Sequence, residues 1–317
     1  MNSISSGHQT TLARHAALSG IGVHSGAAVA VRFQPAEADS GVVFRRLHPD
    51  GSHEDIRAVS SRVVATDLCT VVGVAGGATI GTVEHVMAAI SALNLDNVLI
   101  EVDGPEMPIM DGSAVPFVEA FDEAGMVELE APRRFIRVLK PVRVEMGGSW
   151  GEFTPYGDTR YEVSIDFESA AIGQQSWKGD LSAETFRKEL ARSRTFGFMR
   201  DVEKLWAAGF ALGASLENAV VVSDDDTVIN AEGLRFADEF ARHKALDAVG
   251  DLALAGAPII GCFRSYRGGH KLNAIALKAL LADLSAYELV AAPIAAEGRL
   301  RRGDLVAVSP AFAPWAL

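Results

Sequence analysis

The chain has 317 residues, 49% of them hydrophobic, with 29 basic side chains against 41 acidic ones and a formal net charge of −12. That length builds one large domain or two ordinary ones, and the acidic excess argues against nucleic acid as the main partner, since a phosphate-binding surface needs a basic excess. Two cysteines, Cys69 and Cys262, with no CxxC, exclude a disulfide framework and a zinc knuckle.

The first twenty residues, MNSISSGHQTTLARHAALSG, hold no apolar core of signal-peptide length. No later run approaches the ~20 apolar residues of a spanning helix. A cytoplasmic chain with at most peripheral membrane contact is therefore expected. Residues 28–33 (AVAVRF) and 42–45 (VVFR) alternate as strands do, with PAEADSG as the turn between them. TVVGVAGGATIG, 70–81, reads as a strand running into a glycine-rich turn, and TVEHVMAAISAL, 82–93, as a helix with Thr82 at its N-cap. A strand at 96–104, a loop at 105–116 and a helix at 115–125 follow. ELEAPRR, 128–134, is charged, contains proline and lacks periodicity, which makes it the expected linker between units 1–130 and 131–317.

The second half restarts the rhythm. Strands are expected at 135–146, 151–155, 160–167 and 218–223, a helix near 182–191, a long helix at 234–255, a strand at PIIGCFRSY and a last helix at 270–282. Strands and helices do not strictly interleave, which predicts α+β layers over a doubly wound parallel sheet. No exact repeat is visible.

Inside the long helix, His243, Asp247 and Asp251 are spaced four apart, so one face presents an imidazole and two carboxylates in a row. A histidine and a carboxylate one turn apart can reach one metal ion, or they form an ordinary surface ion pair. Glu84 and His85 open another helix; as neighbours they point apart, which suits a division of labour between proton acceptor and ligand. For Glu84 the alternative is a carboxylate complementing the helix dipole. Two histidines and one aspartate with a fourth position left open is the pattern of a catalytic rather than a structural zinc site. His270, after two glycines that would let the backbone bring its ring close to a substrate, opens the last helix. Asp251 could hold that ring and favour its charged form.

TVEHVMAA, IMDGSAVPF, SRTFGFMRD, LRFADEFARHKALDAVGD and the Gly-Gly-His before a helix resemble the UDP-3-O-acyl-N-acetylglucosamine deacetylases, zinc enzymes of the committed step of lipid A synthesis in Gram-negative bacteria. The resemblance runs from GIGVHSG near residue 20 to GGHKLN near 270. It implies two similar α+β domains facing each other across a cleft, and one catalytic zinc ion per chain held by His85, His243 and Asp247. Glu84 matches the general base, His270 the second catalytic residue and Asp251 its orienting partner. Thr195 matches a hydroxyl that helps hold the oxyanion. Lys244, Phe167, Phe196 and His24 match residues of the substrate site, and Arg194 is a further candidate for the diphosphate. The implied substrate is a UDP-linked acylated amino sugar, acted on by a monomer. The stretch GFALGASLENAVVV, 209–222, would help wall the acyl passage, where Ala214 adds a methyl that relatives commonly lack; on its residues alone it could equally be core strand. Cys69 reads as a free buried thiol, and Asp111 as an interface residue. A zinc hydrolase of another N-acyl sugar, or a catalytically silent sugar-nucleotide binder, are the competing expectations.

Overall fold

The computed structural model describes residues 3–4, 7–74, 76–292, 300–301 and 305–308, so the end of the expected unit 131–317 lies outside the described residues. The strand Ala28–Pro35 buries Val29, Val31 and Phe33 and turns Ala28, Ala30 and Arg32 outward, the period of two that lays one face on a core. It forms an antiparallel hairpin with Ala16–Ile21. Val98–Val102 inserts beside it, antiparallel to Ala28–Pro35 and parallel to Val42–Leu47, and His53–Arg57 closes the far edge. Helices α1 (Glu84–Leu93) and α2 (Val115–Ala124) belong to this unit. Phe33 meets Phe117 and Phe121 of α2 edge-on, with ring centroids 6.4 and 5.0 Å apart.

The second half repeats this plan. Val142–Met146 and Ser149–Thr154 form the hairpin. Ile259–Tyr266 runs antiparallel to Ser149–Thr154 and parallel to Thr159–Asp166, with Gln174–Asp180 at the edge. Between the fourth strand and its main helix lies an insertion containing α3 (Met199–Ala207) and the parallel pair Phe196–Phe198 and Val220–Val222. Helices α4 (Glu239–Ala253) and α5 (His270–Ala282) then occupy the places of α1 and α2 in chain order. Strand order and direction thus match in the two units, although no residue repeat announces it.

α1 packs against α4, and one apolar core runs from Phe33 of the first sheet to Phe263 of the second. The crossing is close because Gly250 has no side chain: a Cβ there would lie 1.9 Å from the Glu84 carbonyl oxygen. Among the described residues no helix is long and apolar enough to cross a membrane.

Two local expectations are corrected. Residues 128–134 are not a loose linker: Met126–Pro132 is a strand paired antiparallel with His8–Leu12, and Arg134–Val138 enters the second sheet beside Tyr287–Ala291. The charges sit on a strand with both faces largely exposed, which erases the alternation a half-buried strand would show. Thr82 is not the N-cap of α1 either. Its φ is +55°, Val83 takes the cap position without a side-chain bond, and the Thr82 hydroxyl donates to Glu106.

Candidate metal centre and catalytic site

The first turn of α1 and the middle of α4 bring His85, His243 and Asp247 together, all buried, with one donor atom from each within 4.8 Å of the others. His243 Nδ1 donates to the Ser193 carbonyl at 3.1 Å, which leaves its Nε2 as a lone pair aimed inward. That Nε2 lies 3.3 Å from Asp247 Oδ1, and His85 Nε2 lies 3.7 Å from the same oxygen. Asp247 Oδ2 accepts from Lys244 Nζ at 2.8 Å, while Oδ1 is buried and accepts no hydrogen bond. Burial holds both histidines below the ordinary imidazole range, His85 down to about 3, so both stay neutral and able to ligate. Burial alone would raise Asp247, but His243 and Lys244 pull it well below the usual carboxylate range. Two neutral imidazole nitrogens and an ionised, unbonded carboxylate oxygen, all converging, fit a divalent cation.

Across from this group stand Glu84 and His270. Glu84 accepts from the Thr70 backbone N–H at 3.0 Å, and its other oxygen faces His270 Nε2 at 3.8 Å. Burial, helped by Asp251 and Asp247, pushes the Glu84 carboxyl up to about 7. Burial opposes charge on His270, yet Asp251 and Glu84 outweigh it and raise the imidazole to about 9. Asp251 accepts from His270 Nδ1 at 2.9 Å, from Asn273 at 2.8 Å and from the Thr70 hydroxyl at 2.5 Å. These bonds, not glycine freedom, place the ring: Gly269 is extended, a conformation open to any residue. Thr70 and Asn273 were not singled out in the sequence, although Asn273 closes the stretch GGHKLN.

A model of the UDP-3-O-acyl N-acetylglycosamine deacetylase family matches residues 9–282. The chain belongs to that family. The proteins named UDP-3-O-acyl-N-acetylglucosamine deacetylase from Brucella ovis and Brucella canis are each 59% identical to it over 285 residues, covering 90% of this chain and 99% of theirs. That of Brucella melitensis is 58% identical over the same span. The family is one of metalloenzymes, in keeping with the three converging donors.

The other residues expected from the deacetylase resemblance fall at varied distances from the cluster. Thr195 is half-buried and pinned through its backbone, its N–H donating to Gly112 O and its carbonyl accepting from Val220 N–H, each at 2.8 Å. The Phe196 ring is 6.2 Å from that of His243 and 5.8 Å from that of Phe167, and Lys244 Nζ lies over its face at 5.5 Å. His24 packs edge-on against Phe210 and accepts from the Ala211 N–H at 3.4 Å. Arg194 is corrected: it is 2% exposed, and its guanidinium is consumed by Glu239 at 2.9 Å, Glu232 at 2.6 Å and the Gly233 carbonyl at 2.7 Å, leaving none of it for a phosphate. Cys69 is buried, and burial next to Glu84 drives its thiol up to about 12, in keeping with a free buried thiol. Asp111 pairs with Arg235 at 2.9 Å, tying a first-unit loop to the second unit.

Proposed function

We propose that the chain hydrolyses the N-acetyl amide of UDP-3-O-(3-hydroxyacyl)-N-acetylglucosamine, giving acetate and a free 2-amino sugar, the committed step of lipid A biosynthesis. Its family supports the deacetylase activity, and the names of its relatives support the substrate. The observation that carries the site assignment is the unbonded Asp247 Oδ1 between two imidazole nitrogens, with the Glu84 carboxylate and a third imidazole, His270, close by.

In this reading His85, His243 and Asp247 hold one zinc ion. When bound, zinc supplies a Lewis acid that polarises the amide carbonyl and acidifies a water molecule. Glu84 Oε1 takes the proton that the attacking water sheds. His270, charged and fixed by Asp251, faces the developing oxyanion and delivers a proton to the departing nitrogen, without which the amine cannot leave. The Thr195 hydroxyl adds a donor to the oxyanion. Lys244 divides its role between steadying Asp247 and meeting the substrate's negative charge. Phe167 and Phe196 flank the nucleotide side, His24 the opposite edge, and 209–222 walls the acyl passage. The enzyme is proposed to act as a monomer, and a nucleotide-linked substrate supports a cytoplasmic enzyme. The domain boundary belongs at the turn around Arg133, between the two strands that join the units.

Metal content and acetate release, measured in one preparation with and without a chelator, test the proposal. About one zinc per chain and chelator-sensitive release are expected. Zinc without acetate release would move the substrate to another N-acyl sugar. No zinc would reduce the row on α4 to a buried ion pair.

A further inference from the structure

Glu106 takes no part in the chemistry above, yet it is 4% exposed, and the groups that donate to it are all neutral. Its Oε1 accepts from Ser25 N–H and from the Ser25 hydroxyl, each at 2.6 Å, and from His24 N–H at 3.2 Å. Its Oε2 accepts from the Thr82 hydroxyl at 3.0 Å. A buried carboxylate is costly unless hydrogen bonds replace its lost water. Such a convergence makes Glu106 a joint between the segments that supply the donors.

Two segments meet on it, and a third is bonded to the far side of one of them. Gly81 is bridged to both neighbours of Glu106, its N–H donating to Pro105 O at 3.0 Å and its carbonyl accepting from Met107 N–H at 2.9 Å. Thr82 follows in the left-handed region, and α1 with Glu84 and His85 starts two residues later. On the second side, a Cβ on Gly22 would sit 2.1 Å from Glu106 Oε1, so the carboxylate fills the place of a side chain beneath the 22–26 turn. On the outer side of that turn lies the backbone of 211–213. Leu212 N–H donates to His24 O and Gly213 N–H to Val23 O, both at 3.1 Å, and a Cβ on Gly213 would sit 2.2 Å from Gly22 O.

We propose that Glu106 is a positioning residue for the acyl end of the site. It fixes the 22–26 turn, and through that turn the 211–216 wall, to the entrance of α1. The inference rests on reading 209–222 as the wall of the acyl passage. Glu106 touches neither the amide nor the metal ligands, and the Gly81 backbone bonds to Pro105 and Met107 hold the entrance of α1 without its carboxylate, so its effect falls on how the far end of the substrate is held.

The test is Glu106→Gln in the zinc-loaded full chain. The change keeps the volume but turns one acceptor into an N–H donor that faces other donors. Amide hydrogen exchange at 211–217 should quicken together with that at 22–26, with α4 unchanged. KM for a substrate with a long 3-O-acyl chain should rise about tenfold, while kcat and the KM of a short-chain analogue stay within about twofold. Faster exchange at 22–26 alone, or an equal KM rise for both chains, overturns the proposal. If Glu106→Gln does not fold, Ser25→Ala removes one donor, keeps the carboxylate and carries the same readouts at smaller size. A parent enzyme with one KM for both chain lengths defeats the passage reading and the acyl role with it, while coupled exchange would still reveal the mechanical link.

Discussion

Asp247 gives one oxygen to Lys244 and keeps the other unbonded, whereas Glu84 gives one oxygen to a backbone N–H and turns the other toward His270. Removing each therefore fails differently. Asp247→Ala should weaken metal retention, read as zinc stoichiometry after dialysis, before any other property changes. Glu84→Ala should keep zinc near the parent level and lower turnover by about 10²- to 10⁴-fold. Zinc lost together with activity would make Glu84 a ligand. The pH profile follows from the same pair. Glu84 must be ionised to accept a proton and is pushed up to about 7, and His270 must be charged to give one and is raised to about 9. A bound cation favours the carboxylate form. The same charge disfavours the imidazolium, so kcat/KM should rise with pH through an acid limb at or below about 7 and fall through an alkaline limb at or below about 9. An alkaline limb that survives in His270→Gln would belong to another group. The pairing of His243 with Asp247 was legible in the sequence because spacing on one helix fixes a face. Thr70, Asn273 and Glu106 were not, because their partners lie on other elements, as far away in sequence as Asp251 is from Thr70.

At the scale of elements, the α1–α4 crossing decides whether the site exists. Gly250→Ala would drive a methyl into the Glu84 carbonyl. The helices must part, at about 1–3 kcal/mol by the usual cost of overpacking, and Glu84 moves with them. A lower denaturant midpoint together with loss of turnover is expected; a variant of parental activity would mean that the crossing is looser than this contact. The Arg194–Glu239 pair anchors the start of α4 to the segment before Phe196–Phe198. Glu239→Ala leaves the buried guanidinium to Glu232 and the Gly233 carbonyl and should cost about 1–3 kcal/mol, read as a shift of the denaturant midpoint at constant slope. Arg194 shows where sequence reading stops. An arginine beside a catalytic motif looks like a phosphate ligand until the fold reveals the carboxylates around it. The strand at 126–132 was missed for the opposite reason, since its exposed charges mimic a linker.

Taken whole, the molecule is one pairing scheme used twice and fastened by the helices that carry the chemistry. AVAVRFQP and SWGEFT hold the same place in their sheets without shared residues, because the scheme asks only for alternate burial. The α+β class was therefore legible while the internal repetition was not. A metal held by His85 from one unit and by His243 and Asp247 from the other joins both, so its removal should lower thermal stability as well as activity. Zinc at a hundred times its dissociation constant stabilises by about 2.7 kcal/mol, and calorimetry with and without chelator should show the shift in the parent and lose it in His85→Ala.

The exposed residues of the insertion in the second unit point the other way. Met199, Trp206, Leu212 and Leu216 stand largely in solvent, on a segment whose helix, α3, buries none of its side chains. Replacing them costs the fold little. On the proposed reading of 209–222 as the wall of the acyl passage, a lineage carrying this fold can change the tail it accepts through single surface substitutions, while changes at the amide-cutting end also disturb the clasp between the two units.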